Sequence, residues 1–218
     1  MTGRVPTASQ EPVSATSFAT LIRKARRRDE EALATLYQRA LPVIYRYVLA
    51  RLGRPDLVED VVSEVFLVMV ESITDLRAEH EAGFFAWMIQ IAQGKISRAI
   101  RHLKRQATYH ASFPGSPADE GQFLAEPMAN DLLSDPAALQ EWRETLQELG
   151  LALGSLSAEQ QVVVIGRFLA GQSIEDLARA LGKQPGAVRA LQFRALGALA
   201  ERLGLGRSER SRSKGGRA

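Results

Sequence analysis

At 218 residues, with 45% hydrophobic and 24% charged residues, the chain has the balance of a globular protein and room for one large domain or two small ones. The absence of cysteine excludes disulfides and thiolate-held metal centres, and three histidines leave little for metal or proton chemistry, so no cofactor and no catalytic residue is expected. No run nears the roughly 18 apolar residues of a membrane span, and residues 1–17 hold no apolar signal core, so a cytoplasmic chain without membrane contact of its own is expected.

Residues 1–16, rich in Pro, Ser and Thr, read as a disordered lead-in. From Ser17 onward, Phe18, Leu21, Ile22 and Ala25 make a short amphipathic helix. Leu33, Leu36, Tyr37, Ile44, Tyr47 and Val48 make a second, kinked at Pro42. Pro55 suits the first turn of a third helix, where Leu57, Val58, Val61, Val62, Val65, Phe66, Met69 and Ile73 form an apolar side. A fourth is expected from about Gly83 to Arg105, with Phe84, Trp87, Met88, Ile91, Ala92, Ile96, Ala99 and Leu103 inward. Residues 17–106 therefore form one helical domain.

The stretch 111–136 has four prolines, five acids and no Lys or Arg, so 107–137 is an acidic linker. Helical spacing resumes with Leu139, Trp142, Leu146, Leu149 and Leu153, opening a second helical domain over 138–204. Ser157 with Gln160, and Ser173 with Asp176, look like N-caps of two further helices. Pro185 opens a last helix lined by Val188, Leu191, Ala195, Leu199 and Leu203, and residues 205–218 are a basic tail. The fold class is all-α, two small helical domains joined by an extended acidic linker.

Within the second domain, Ala178, Gly182 four later and Val188 six after that have the spacing of a helix-turn-helix. The small residue lets the helices approach, the glycine accepts positive φ, and the valine seals the joint. A helical wheel turns Gly186, Ala187, Ala190 and Phe193 outward, with Arg189 and Arg194 on the flanks and Lys183 and Gln184 in the turn. Small residues, a thymine-compatible Ala and flanking arginines suit a DNA major groove, with solvated surface charges as the lesser reading of Arg189 and Arg194.

On the third helix Asp56, Asp60 and Glu64 follow one another at four-residue steps and repel. Either a basic protein partner offsets the repulsion or the acids form a solvated face. On the fourth, Lys95, Arg98, Arg101, His102 and Arg105 make a basic stripe, and Phe84, Phe85 and Trp87 open the same helix. Basic residues beside aromatics suit phosphate and unstacked bases, although Trp87 taken alone fits the core better than a stacking platform.

Together these features resemble the extracytoplasmic-function (ECF) subfamily of the sigma-70 family of RNA polymerase sigma factors, over about 18–105 and 138–203. VEDVVSEVFLVMV (58–70) is similar to the family segment that docks on the polymerase clamp helices, with Asp60, Glu64 and Phe66 matching. FFAWMIQIAQGKISRAIRHLKR (84–105) is similar to its minus-ten segment, and LSAEQQVVVIGRFLAGQSIEDLARALG (156–182) to the start of its minus-thirty-five reader. Ser63, Gly94, Arg98, Ala187, Ala190 and Leu191 depart from the residues common in the family, so a promoter sequence does not transfer.

The resemblance implies a sigma factor, not an enzyme: region 2 over the first domain and region 4 over the second. Its expected partners are core RNA polymerase, through clamp helices and flap, promoter DNA, and an anti-sigma factor. It assigns polymerase binding to Asp56, Asp60, Ser63, Glu64 and Phe66, and minus-ten binding to Trp87, Lys95, Arg98, Arg101, His102 and Arg105. Minus-thirty-five binding falls to Lys183, Gln184, Gly186, Ala187, Arg189, Ala190, Phe193 and Arg194, and base selection to the loop within Arg77 to Gly83. The family's promoter elements lie about 25 base pairs, or roughly 85 Å, apart, and a free coil of about 30 residues averages only about 30 Å, so the linker would have to be held extended. A non-transcribing sigma mimic that sequesters an anti-sigma factor is the alternative; the intact basic stripe argues against it.

Overall fold

The computed structural model describes residues 15–112 and 136–205, with side chains over 18–105 and 137–205. Among them the chain forms eight α-helices and no strand. The basic tail from residue 206, the lead-in up to residue 14 and the form of the linker over 113–135 lie outside the described residues.

Helix α1 (Ala15–Arg26) turns into α2 (Glu30–Leu52) through Arg28, and Asp29 caps α2 by accepting the Ala32 N–H at 2.9 Å. Pro42 lies inside α2, which runs unbroken to a left-handed Gly53 with φ +60°. Pro55 does not open the third helix directly. The Leu57 N–H reaches back only to Arg54 O, giving a single 3-10 turn over Pro55–Leu57 before α3 (Val58–Ser72). A second 3-10 turn, Ile73–Asp75, leads to α4 (Glu81–Ser112). This helix exceeds the expected span at both ends. The Phe84 N–H bonds His80 O at 3.2 Å, so the helix is under way before Gly83, and it continues past residue 106 into the stretch assigned to the linker.

The second bundle comprises α5 (Pro136–Ser155), α6 (Ala158–Phe168), α7 (Ile174–Leu181) and α8 (Pro185–Arg202). Ser157 and Gln160 form the reciprocal capping box at the start of α6, as their spacing predicts.

The core of the first bundle gathers Phe18, Ile22, Leu36, Ile44, Tyr47, Val65, Met69, Phe84, Met88 and Ile96. It does not stop at the bundle's edge, because Val162 and Ile165 of α6 are buried in that same core. Val163 instead joins Leu177, Val188 and Leu191, and Val164 joins Leu153, Leu156 and Ala195. The middle of α6, Val162 to Ile165, is thus apolar on every side because it is covered on every side. The two bundles pack on each other, α2 against α5 and α4 against both α6 and α7.

Candidate nucleic-acid interface

The outer face of α3 carries Asp60, Ser63 and Glu64, all exposed, at helical steps from Leu67 and Val70. Leu67 is 62% exposed and Val70 37%, and Tyr37 of α2 is 42% exposed. Leu67 and Val70 were missed in the sequence, where the inward stripe masks a few extra apolar positions, and Tyr37, read there as part of the apolar series of the second helix, is instead partly outward. Phe66 goes the other way: it is buried, its ring 4.5 Å from that of Tyr37, so it supports the face from beneath rather than standing on it. Asp56 lies in the 3-10 turn and is held by Arg54, Nη2 to Oδ2 at 2.6 Å.

The mutual repulsion expected along Asp56, Asp60 and Glu64 is relieved inside the chain. Arg54 neutralises the first acid, and Lys95 of α4 reaches Glu64 with Nζ 3.0 Å from Oε2. Asp60, Glu64, Lys95, Arg98 and His102 line one groove of about 440 Å³ between α3 and α4. The acidic and basic stripes therefore meet along a seam. Beyond it Arg98, Arg101, His102 and Arg105 are exposed on α4, as their spacing predicts, while Lys95 is half-buried.

Of the three aromatics that open α4, Phe84 and Phe85 are buried in the core and cannot stack on a base. Trp87 is half-buried, with its ring 6.3 Å from Phe84. The segment Arg77 to Gly83 is only partly a loop, since α4 begins at Glu81. Gly83 sits so close to Ala78 that an added Cβ would lie 2.7 Å from the Ala78 side chain. Arg26 of α1 ties this loop down by donating to the Leu76 carbonyl.

In the second bundle the helix-turn-helix joint forms as the spacing requires. Gly182 adopts φ +62°, the Lys183 N–H closes on Ala178 O at 2.9 Å, and Leu177, Ala178, Val188 and Leu191 are buried together. Ser173 caps α7: its Oγ accepts the Asp176 N–H at 3.0 Å and donates to Asp176 Oδ2 at 2.6 Å. That hydroxyl, helped by Arg179, holds the Asp176 carboxyl below the usual carboxylate range. On α8 the residues Gly186, Ala187, Arg189, Ala190, Phe193 and Arg194 are all exposed on the outer side, and Phe193 is 80% exposed. Gln184 precedes the helix, exposed, as its N-cap residue. Two of the cations are already engaged: Arg189 Nη2 lies 2.9 Å from Glu175 Oε1, and Lys183 Nζ 3.0 Å from Glu159 Oε1. Among the described residues no helix is long and apolar enough to cross a membrane, and no cluster of three metal-ligating side chains occurs.

Two faces fit for nucleic acid, one on α4 and one on α8, thus share a chain with an acidic and apolar face on α3. Comparison with known proteins matches the chain in two separate regions. Residues 36–106 match the model of sigma-70 region 2, and residues 146–199 match that of sigma-70 region 4. The chain is 30% identical over 185 residues to the ECF RNA polymerase sigma factor BldN of Streptomyces coelicolor, covering 84% of this chain and 64% of that protein's length. It is 28% identical over 172 residues to the ECF RNA polymerase sigma factor SigD of Mycobacterium tuberculosis, covering 77% of this chain and 75% of SigD. The solved structure of CnrH in complex with the cytosolic domain of CnrY shares the fold, with a TM-score of 0.53 at 21% identity over 88% of this chain and 99% of that one. The chain belongs to the sigma-70 family, in its extracytoplasmic-function group.

Proposed function

We propose that the protein binds core RNA polymerase and directs promoter-specific initiation of transcription in the cytoplasm, without an active site of its own. The observation that carries this reading is the outer face of α3, where Asp60, Ser63 and Glu64 adjoin exposed Leu67 and Val70 beside the basic stripe of α4. An interface with an apolar centre and acidic rim suits a basic protein partner. Residues 17–106 serve as the polymerase- and minus-ten-binding domain, and 138–204 as the minus-thirty-five-binding domain.

In this reading Arg98, Arg101, His102 and Arg105 hold phosphates while the half-buried Trp87 flanks the melted strand. The outer side of α8 enters the major groove, where Gly186, Ala187 and Ala190 permit close approach and Arg194 reaches a base or phosphate. An anti-sigma factor is the expected regulator, in line with family membership.

The test is run-off transcription by purified bacterial core polymerase, with and without the protein, on promoters from its own genome. New specific starts that vanish on Asp60→Arg with Glu64→Arg are expected. Absence of any initiation, together with tight binding to an anti-sigma protein, would favour the mimic instead.

A further inference from the structure

The stretch between α3 and α4 is held in place by arginines of the first two helices and the turn between them. At the end of α3, Arg28 donates from Nη1 to Val70 O at 2.8 Å and from Nη2 to Glu71 O at 3.4 Å, meeting two carbonyls of the last turn. It does so from φ +65°, a conformation uncommon for a residue with a Cβ. Arg26, half-buried at the end of α1, donates to Leu76 O. On the far side Arg39 of α2 meets Glu81, the first residue of α4, with Nη1 3.2 Å from Oε1. The Arg39 guanidinium also lies over the Phe18 ring, 5.8 Å from its centre.

Between these ties the chain is short. Leu76 and Ala82 are buried, Arg77 and Glu79 are exposed, and Ala78 and His80 are half-buried. The loop rests on Gly83, where a Cβ would come 2.7 Å from Ala78 Cβ and 3.0 Å from His80 Cε1. Gly83 and Trp87 stand one turn apart on the same side of α4, so a loop seated on Gly83 borders Trp87. Rings join the same parts: Phe18 of α1 lies 5.9 Å from Phe84, and Phe84 lies 6.3 Å from Trp87. Helix α1 therefore supports both the loop and the aromatic beside it.

These arginines face the protein. Arg26 and Arg28 direct donors to main-chain carbonyls, and Arg39 is paired with a carboxylate. A loop that becomes ordered only as it binds gives up affinity to that ordering, whereas one tied at both ends meets its ligand already in place.

We infer that Arg26 and Arg39 are positioning residues for promoter recognition, holding residues 77–80 against Gly83 so that this loop and Trp87 present one fixed edge to the bases of the melted strand. This rests on the sigma-factor reading, in which Trp87 flanks that strand. Neither arginine touches DNA itself, so removing one changes which bases are preferred and not how many phosphates are held.

The experiment is initiation by core polymerase with the full chain, on a promoter from its own genome and on copies changed one base at a time across the minus-ten element. The wild type should give a spread of yields among the copies. Arg26→Gln and, independently, Arg39→Gln should narrow that spread several-fold. Arg39→Lys, which keeps a cation opposite Glu81, should preserve it, and Arg39→Glu should regain it when combined with Glu81→Arg. Partial unfolding lowers every yield alike and leaves their ratios unchanged, so the ratios separate positioning from stability. Promoter binding should keep its salt dependence in both glutamine variants, whereas loss of a phosphate contact reduces the slope of log K against log salt by about one. Unchanged ratios in both variants overturn the proposal, and so does a reduced salt slope. A wild type that starts no transcript with core removes the sigma-factor reading, and the proposal with it.

Discussion

Lys95 Nζ lies 3.0 Å from Glu64 Oε2, joining the helix that would hold promoter phosphates to the helix that would dock on polymerase. The acids of α3 call for positive charge at their spacing, and the chain supplies part of it internally. Glu64 keeps about half of its side chain exposed and can exchange this lysine for a partner's cation, which would free Lys95 for DNA.

Removing this pair should affect function more than stability. Surface ion pairs contribute about 0.2–1 kcal/mol, so Glu64→Gln is expected to shift the unfolding free energy by less than about 1 kcal/mol. Run-off initiation should fall markedly at limiting core. Denaturant unfolding beside a core titration checks both; a large stability loss would assign Glu64 a structural role.

Neighbouring α3 residues should divide in the opposite sense. Phe66 is 6% exposed and packed on Tyr37, so Phe66→Ala is expected to cost about 3–5 kcal/mol of stability. Leu67, 62% exposed, should tolerate Leu67→Ser within about 0.5 kcal/mol while weakening the complex with core. Equal binding by the Leu67 variant would remove this residue from the docking face.

What the sequence made legible was local. Ser157 and Gln160, Ser173 and Asp176, and Ala178, Gly182 and Val188 act within a turn or two of one another, and their spacing alone carries the geometry. The same holds for the exposed side of α8. Phe66 was read in two senses: its spacing put it on the apolar side of α3, where it is buried, while the family motif assigned it to the docking face without saying which way it points. The contact between bundles was out of reach of periodicity: Tyr47 and Gln161 stand 114 positions apart, and a glycine in α5 is only a weak helix residue until α2 is seen beside it. One signal was available. The run Val162, Val163, Val164 and Ile165 is apolar all round, which a helix at the edge of an isolated four-helix domain would not be.

Ser173 offers a pH-dependent test of the helix-turn-helix. Its hydroxyl, with Arg179, lowers the Asp176 pKa, so the carboxylate's contribution to stability is present above the unfolded-state pKa and is lost as pH falls through the lower folded value. Ser173→Ala should destabilise the protein by about 1 kcal/mol near neutral pH, and the gap from wild type should narrow in acid. A gap independent of pH would show that the hydroxyl acts only as a backbone cap.

Tyr47 gives the packing of the two bundles a spectroscopic signature. Burial pushes its phenol from 10.0 up to about 12, against the opposing pull of Arg51 on its own helix and the hydrogen bond of Gln93 on α4, while Gln161 on α6 accepts its proton. A raised folded value means that the contribution of buried Tyr47 to stability is fully present below the ordinary tyrosine pKa and is lost as pH rises toward about 12. Tyr47 should therefore ionise late in the wild type, and that late component should be absent from Tyr47→Phe. If the late component persists in Tyr47→Phe, another tyrosine carries it, and the phenol between the two bundles is not the group that burial holds protonated.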